Sequence, residues 1–116
     1  MSVTESDVRR AIAGARTMVV KVGSSSLTQP SGHLDVKKLN SLVAALSAVS
    51  AQGARVVLVS SGAIAAGFGP LGFESRPSDV ATQQAVAAVG QGLLMAQYEA
   101  AFGRFGVRVG QILITA

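Results

Sequence analysis

Arg55-Val56-Val57-Leu58-Val59-Ser60-Ser61-Gly62-Ala63-Ile64-Ala65-Ala66-Gly67 changes character within a few residues, and that change decides the fold. Residues 56–59 form an unbroken β-branched and aliphatic run. This is the pattern of a short strand buried on both faces, as in parallel sheets. Ser60, Ser61 and Gly62 break the run, and an Ala-rich segment with helical propensity follows. A buried strand, a small polar turn and a helix start make a corner suited to anions. Free main-chain N–H groups and the positive end of the helix dipole converge there. A second corner of similar build lies upstream at residues 18–28.

Working outward, residues 17–22 read as the first strand and Gly23-Ser24-Ser25-Ser26 as its end. Gln29-Pro30-Ser31-Gly32 is loop chemistry. Asp35 is a good N-cap, with Leu34 and Leu39 spaced for a hydrophobic staple. The helix it opens carries Leu39, Leu42, Val43, Leu46 and Val49 on one face and closes at Gly53. Strand, helix and strand in this order imply parallel pairing through a crossover.

The flanks extend the same pattern. Residues 1–16 read as a short amphipathic helix with Val8 and Ile12 on one face, capped by Thr4 or Ser6. Residues 63–68 read as a brief helix. Ser78 or Asp79 then caps a long helix reaching about Phe105. Gly90 and Gly92 weaken that helix by about 1 kcal/mol each relative to Ala, and mark a kink or a close backbone approach. Residues 107–115 read as a third strand. The expected architecture is a three-layer α/β/α fold with a mainly parallel open sheet covered on both faces. Ligands of such sheets bind beyond the carboxyl ends of the strands, where both corners lie.

Composition narrows the function. With 49% hydrophobic and 14% charged residues, the chain suits one small ordered domain. Cysteine is absent, which excludes disulfides and thiolate metal sites and fits a cytoplasmic protein. No segment approaches the roughly 20 apolar residues of a membrane span, and the N-terminal residues do not read as a signal peptide. The net charge of +4 is spread over scattered basic residues without an aromatic stacking platform, so no nucleic-acid partner is expected.

At the first corner, Lys21 lies near the exit of a buried strand, where an ammonium group needs an anion. Gly23 allows close approach of the backbone, and three serines add donors; a polyphosphate fits. The same residues also read as a lysine snorkelling to solvent before an ordinary turn. No G-x-x-x-x-G-K-S/T motif occurs. At the second corner, Ser61 and the N–H groups around Gly62 suit a carboxylate or phosphate, and equally a plain strand-to-helix turn. His33, the one histidine, reads as a solvent-facing loop residue, and Tyr98 and Phe102 as core. No acid–base apparatus is present. Phosphorylating a carboxylate needs none, because an acceptor with a pKa near about 4.3 is already ionised. That reaction needs cations and N–H donors around the transferring group.

Four stretches, VKVGSSSLT at 20–28, VVLVSSGAIAAG at 56–67, QAVAAVGQGLLM at 84–95 and GQILIT at 110–115, together resemble the amino-acid kinase family. The likeness is strongest to its branch that phosphorylates the side-chain carboxylate of L-glutamate at the start of proline biosynthesis. It covers about residue 17 to the end. It implies ATP and Mg2+ as cofactors, L-glutamate as substrate, and a homo-oligomer, dimer or tetramer. By position, Lys21 resembles the family's ATP-binding and catalytic lysine, with Gly23 and Ser24 against the phosphates. Ser61 resembles its glutamate-binding serine, with Gly62 and Ala63 beside it. No residue is assigned to a metal.

The family's catalytic domain is more than twice this long. Residues 1–116 are therefore expected to be its glutamate-binding part, without the nucleotide-binding half and inactive alone. In the family's sheet, the resemblance implies, a later strand lies between the second and third strands read here. Two other readings stay open: a sibling kinase with a different acceptor, and a non-catalytic α/β module that binds anions or assembles.

Overall fold

The two valine-rich runs become strands with the expected limits, β1 Thr17–Val22 and β2 Arg55–Ser60. They pair in parallel, Thr17 opposite Arg55 and Val22 opposite Ser60. The ladder runs one step past the strands, where the Ser61 N–H donates to the Val22 carbonyl at 3.0 Å. The computed structural model describes residues 2–112.

The crossover between the strands is α2, Val36–Ala51. Asp35 caps it as expected, its carboxylate accepting from the Lys37 and Lys38 N–H groups at 3.0 and 3.2 Å. At the other end the Gly53 N–H returns to the Ser50 carbonyl. Between β1 and α2 the chain makes one 3-10 turn, Ser24–Ser26. It then makes a small hairpin in which Thr28 bridges Leu34 and the Gln29 N–H meets the His33 carbonyl at 2.8 Å.

After β2 come α3, Ala63–Phe68, and α4, Val80–Gly103. Asp79 caps α4 through the Thr82 N–H and hydroxyl. The suspected backbone approach is real at Gly90. A methyl group there would lie 1.7 Å from the Ala63 carbonyl oxygen. Gly67 faces it from α3, where a methyl group would lie 2.4 Å from the Val86 carbonyl oxygen. Two facing glycines thus let α3 and α4 touch main chain to main chain. Gly92 has open space beside it and plays no such part.

Residues of α2, α3 and α4 fill one core with the sheet. Leu39, Val43, Leu46, Ala66, Leu94 and Tyr98 meet Val20, Val22, Val56 and Leu58. The strand residues in that list share one parity, so the core occupies one face of the sheet. The other parity is open among the described residues: Val19, Val57 and Val59 are 65%, 47% and 48% exposed. The expected burial of these strands on both faces is therefore met on one. The reason is that the three packed helices all fall on the same side, and α1, Glu5–Ala13, buries none of its residues. Thr4 does cap α1, in a reciprocal box with Asp7, but Val8 and Ile12 remain exposed.

The expected third strand is also corrected where it can be seen. Residues 107–112 take no strand pairing among the described residues, although Val107 and Val109 pack on the core. A strand exists only with a neighbour to bond to, and here the Val107 N–H bonds the Phe102 carbonyl of the preceding helix instead. Residues 113–115 of that strand lie outside the described residues.

Candidate active site

Both corners sit at the carboxyl edge of the sheet, and the Ser61-to-Val22 hydrogen bond fastens one to the other. Lys21 lies opposite Val59 in the register, on the open face of the sheet, and is itself exposed. Ser61 continues the parity of Val57 and Val59 and is exposed too. The two side chains thus leave the sheet on the same side. Among the described residues Lys21 has no carboxylate within salt-bridge distance; the ion pairs found, Arg9–Glu5 and Arg10–Asp7, are both on α1.

At the first corner the Ser26 and Leu27 N–H groups are used by the 3-10 turn, donating to the Gly23 and Ser24 carbonyls. The N–H groups of Gly23, Ser24 and Ser25 find no acceptor among the described residues. The turn is held from beneath by Leu27, which is fully buried. Gly23 has nothing near its missing side chain, so its surface is open to a ligand.

At the second corner Gly62 adopts φ 116° as the residue before α3. Side chains rarely reach that conformation, so glycine is required to turn the chain from strand into helix. Its packing on Leu27 and Leu94 ties this corner to the first one and to α4. The N–H groups of Gly62, Ala63 and Ile64 have no acceptor among the described residues. With α3 only six residues long, its dipole is small, and these main-chain donors are the main attraction for a negative charge.

Two concavities lie away from this edge. One, of about 240 Å3, lies between α3 and α4 beside Leu34, Ala66, Pro70 and Leu93. The other, of about 710 Å3, lies at the amino ends of the strands beside Gly14, Thr17 and Arg55. Neither is lined by Lys21, Ser24 or Ser61. The donor-rich edge is preferred as the site because parallel sheets bind ligands at the carboxyl ends of their strands. Among the described residues it is an open shelf at Lys21, Gly23, Ser24 and Ser61, with Ala63 and Ile64 half-buried and Gly62 buried behind Ser61.

One side chain differs from the sequence reading, and a second has a contact that the sequence does not show. His33 is half-buried, its ring 4.5 Å from that of Phe68 and its Nδ1 3.0 Å from the Ser31 hydroxyl. It fastens the hairpin over the end of α3. Tyr98 is core as expected, but its hydroxyl also reaches the Ser60 hydroxyl at 2.6 Å, directly beside the second corner. Burial pushes the Tyr98 phenol above its ordinary value, with the Ser60 hydrogen bond acting the other way. Helical spacing alone shows that Tyr98 faces inward; which strand end its hydroxyl meets depends on how α4 crosses the sheet.

Comparison with known proteins bears on the family rather than on this geometry. The profile of the amino acid kinase family matches residues 16–116. A protein of Bifidobacterium animalis subsp. lactis named glutamate 5-kinase is 77% identical over 113 residues, 97% of this chain and 30% of that protein. Proteins of the same name from Cutibacterium acnes and Streptomyces coelicolor are 59% and 57% identical over 94% and 93% of the chain. These cover 28% and 29% of those two proteins, so the chain spans about three tenths of the length of the curated relatives it matches.

Proposed function

Because the chain belongs to the amino acid kinase family, we propose that it forms the acceptor-binding part of a glutamate 5-kinase. That enzyme moves the terminal phosphoryl group of ATP to the side-chain carboxylate of L-glutamate, giving L-glutamyl 5-phosphate, the first step of proline biosynthesis. One observation carries the reading: the Ser61 N–H bonded to the Val22 carbonyl sets two donor-rich corners edge to edge. A phosphoryl donor on one and a carboxylate on the other would meet across that bond. The relatives named glutamate 5-kinase support glutamate as the acceptor.

In this reading Lys21 stabilises the charge that spreads over the transferring phosphoryl oxygens. Gly23 and Ser24 offer main-chain N–H groups to the phosphates. Ser61, Gly62 and Ala63 hold the glutamate. The acceptor oxygen is already ionised at neutral pH, so neither corner needs a base. The described residues contain no group of three or more His, Cys, Asp or Glu suited to a metal. Phosphate oxygens suit Mg2+, which when bound neutralises phosphate charge. The dimer or tetramer implied by the resemblance belongs to the same reading.

The test offers the complete protein ATP with glutamate, acetylglutamate, aspartate or carbamate, and traps any acyl phosphate with hydroxylamine. Glutamate-dependent trapping is expected. Turnover of another acceptor in its place refutes the substrate, and binding of glutamate and ATP without turnover points to an anion-binding module instead.

A further inference from the structure

Tyr98 is buried and its ring stacks on Phe102, yet its hydroxyl is committed to the edge of the site. The Ser60 hydroxyl, 2.6 Å from it, donates to the Ser61 carbonyl at 2.8 Å. A serine hydroxyl has one proton. With that proton given to Ser61, Tyr98 must be the donor to Ser60. A phenol is protonated at neutral pH, and burial here acts in the same direction. A relay therefore runs from the Tyr98 O–H to the Ser60 hydroxyl and on to the main chain of Ser61.

The peptide joining Ser61 to Gly62 is trans, so its carbonyl and N–H point in opposite directions. Holding the carbonyl toward Ser60 fixes the Gly62 N–H on the other side, where no described residue accepts it. Glycine is too permissive to hold that orientation by itself. An external restraint is needed, and the relay is one.

We infer that Tyr98 is a positioning residue for the acceptor substrate. Through Ser60 it holds the Ser61–Gly62 peptide so that the Gly62 N–H meets the substrate carboxylate. This rests on the glutamate kinase reading above and adds a residue of α4 that itself touches no substrate.

The test uses the complete protein. Tyr98→Phe removes the hydroxyl and keeps the ring. The glutamate KM is expected to rise about fivefold to tenfold, the effect of one misaligned hydrogen bond, while the ATP KM stays within about twofold. Ser60→Ala gives the same defect, and the double variant is no worse than either single one, because both cut the same relay. Ser60→Thr keeps a hydroxyl and restores a near wild-type glutamate KM. A folded Tyr98→Phe enzyme with both KM values unmoved and only a lower Tm overturns the inference. Should Tyr98→Phe not fold, the contrast between Ser60→Ala and Ser60→Thr decides. A wild-type protein that does not phosphorylate glutamate overturns the functional reading and this one with it. An active wild type with unmoved KM values in the variants overturns only the inference.

Discussion

Replacing Gly90 by alanine places a methyl group 1.7 Å from the Ala63 carbonyl oxygen and 2.9 Å from the Gly67 nitrogen. Both are main-chain atoms of α3, so no rotamer change relieves the clash. The helices must separate until the first distance reaches about 3.0 Å, below which real Cβ atoms essentially never fall. Overpacking of this kind costs about 1–3 kcal/mol, occasionally more. Against it stands the helix-propensity gain of about 1 kcal/mol from Gly to Ala. With a backbone oxygen as obstacle the upper end applies, and the net loss is about 2 kcal/mol. Gly92 supplies the control. It lies two positions along the same helix with nothing within 4 Å of a new methyl group. Gly92→Ala should keep the propensity gain and stabilise by up to about 1 kcal/mol. Urea unfolding of the complete protein with both variants gives the difference, about 3 kcal/mol in opposite directions. Because α3 starts at the second corner, Gly90→Ala should also raise the glutamate KM. Equal stabilisation by the two substitutions refutes the close approach of α3 to α4.

Lys21→Ala should lower kcat by about 100-fold to 1000-fold, as expected when a donor to transition-state charge is lost; an unchanged rate removes Lys21 from the mechanism. Ser61→Ala should raise the glutamate KM more than the ATP KM, and the reverse pattern means that the two corners are exchanged. Ser47→Ala should stabilise the protein by about 0.5–1 kcal/mol, since the buried Ser47 hydroxyl has no partner among the described residues and Ala is the better helix former; a lower unfolding midpoint shows a partner for it. The Asp79 carboxyl is held below its ordinary 3.8 by its bonds from Thr82. A depressed folded value gives stability that is present above the unfolded value and lost as pH falls through the folded one. The Tm gap between wild type and Asp79→Ala should therefore be full at neutral pH and shrink on the acid side of 3.8; a constant gap shows that the charge does not matter.

Local signals carried much of the fold. The limits of β1 and β2 were legible because valine runs end abruptly at glycine and serine. The cap at Asp35 was legible because a short carboxylate before a helical pattern has one good use, whereas Ser78 and Asp79 were both open as the cap of α4 and the structure selects Asp79. What depends on partners distant in sequence was not legible. Alternating burial within β1 and β2 reflects which side α2, α3 and α4 cover, and a run of valines is the same string whether one face is covered or two. Val107 and Val109 have strand composition, but composition does not supply the neighbouring strand that pairing requires. At the site, the small polar turns announced both corners. The link of Tyr98 to Ser60 spans 38 positions and leaves no periodic trace. Likewise, nothing in the hairpin sequence shows that the His33 ring lies on Phe68.

The most direct test follows the main-chain amide signals of the two corners in the complete protein by nuclear magnetic resonance, during titration with glutamate and separately with a non-hydrolysable ATP analogue. Glutamate should move Gly62, Ala63 and Ile64, and the nucleotide should move Gly23, Ser24 and Ser25. Shifts from both ligands that avoid these six amides would contradict the two-corner site.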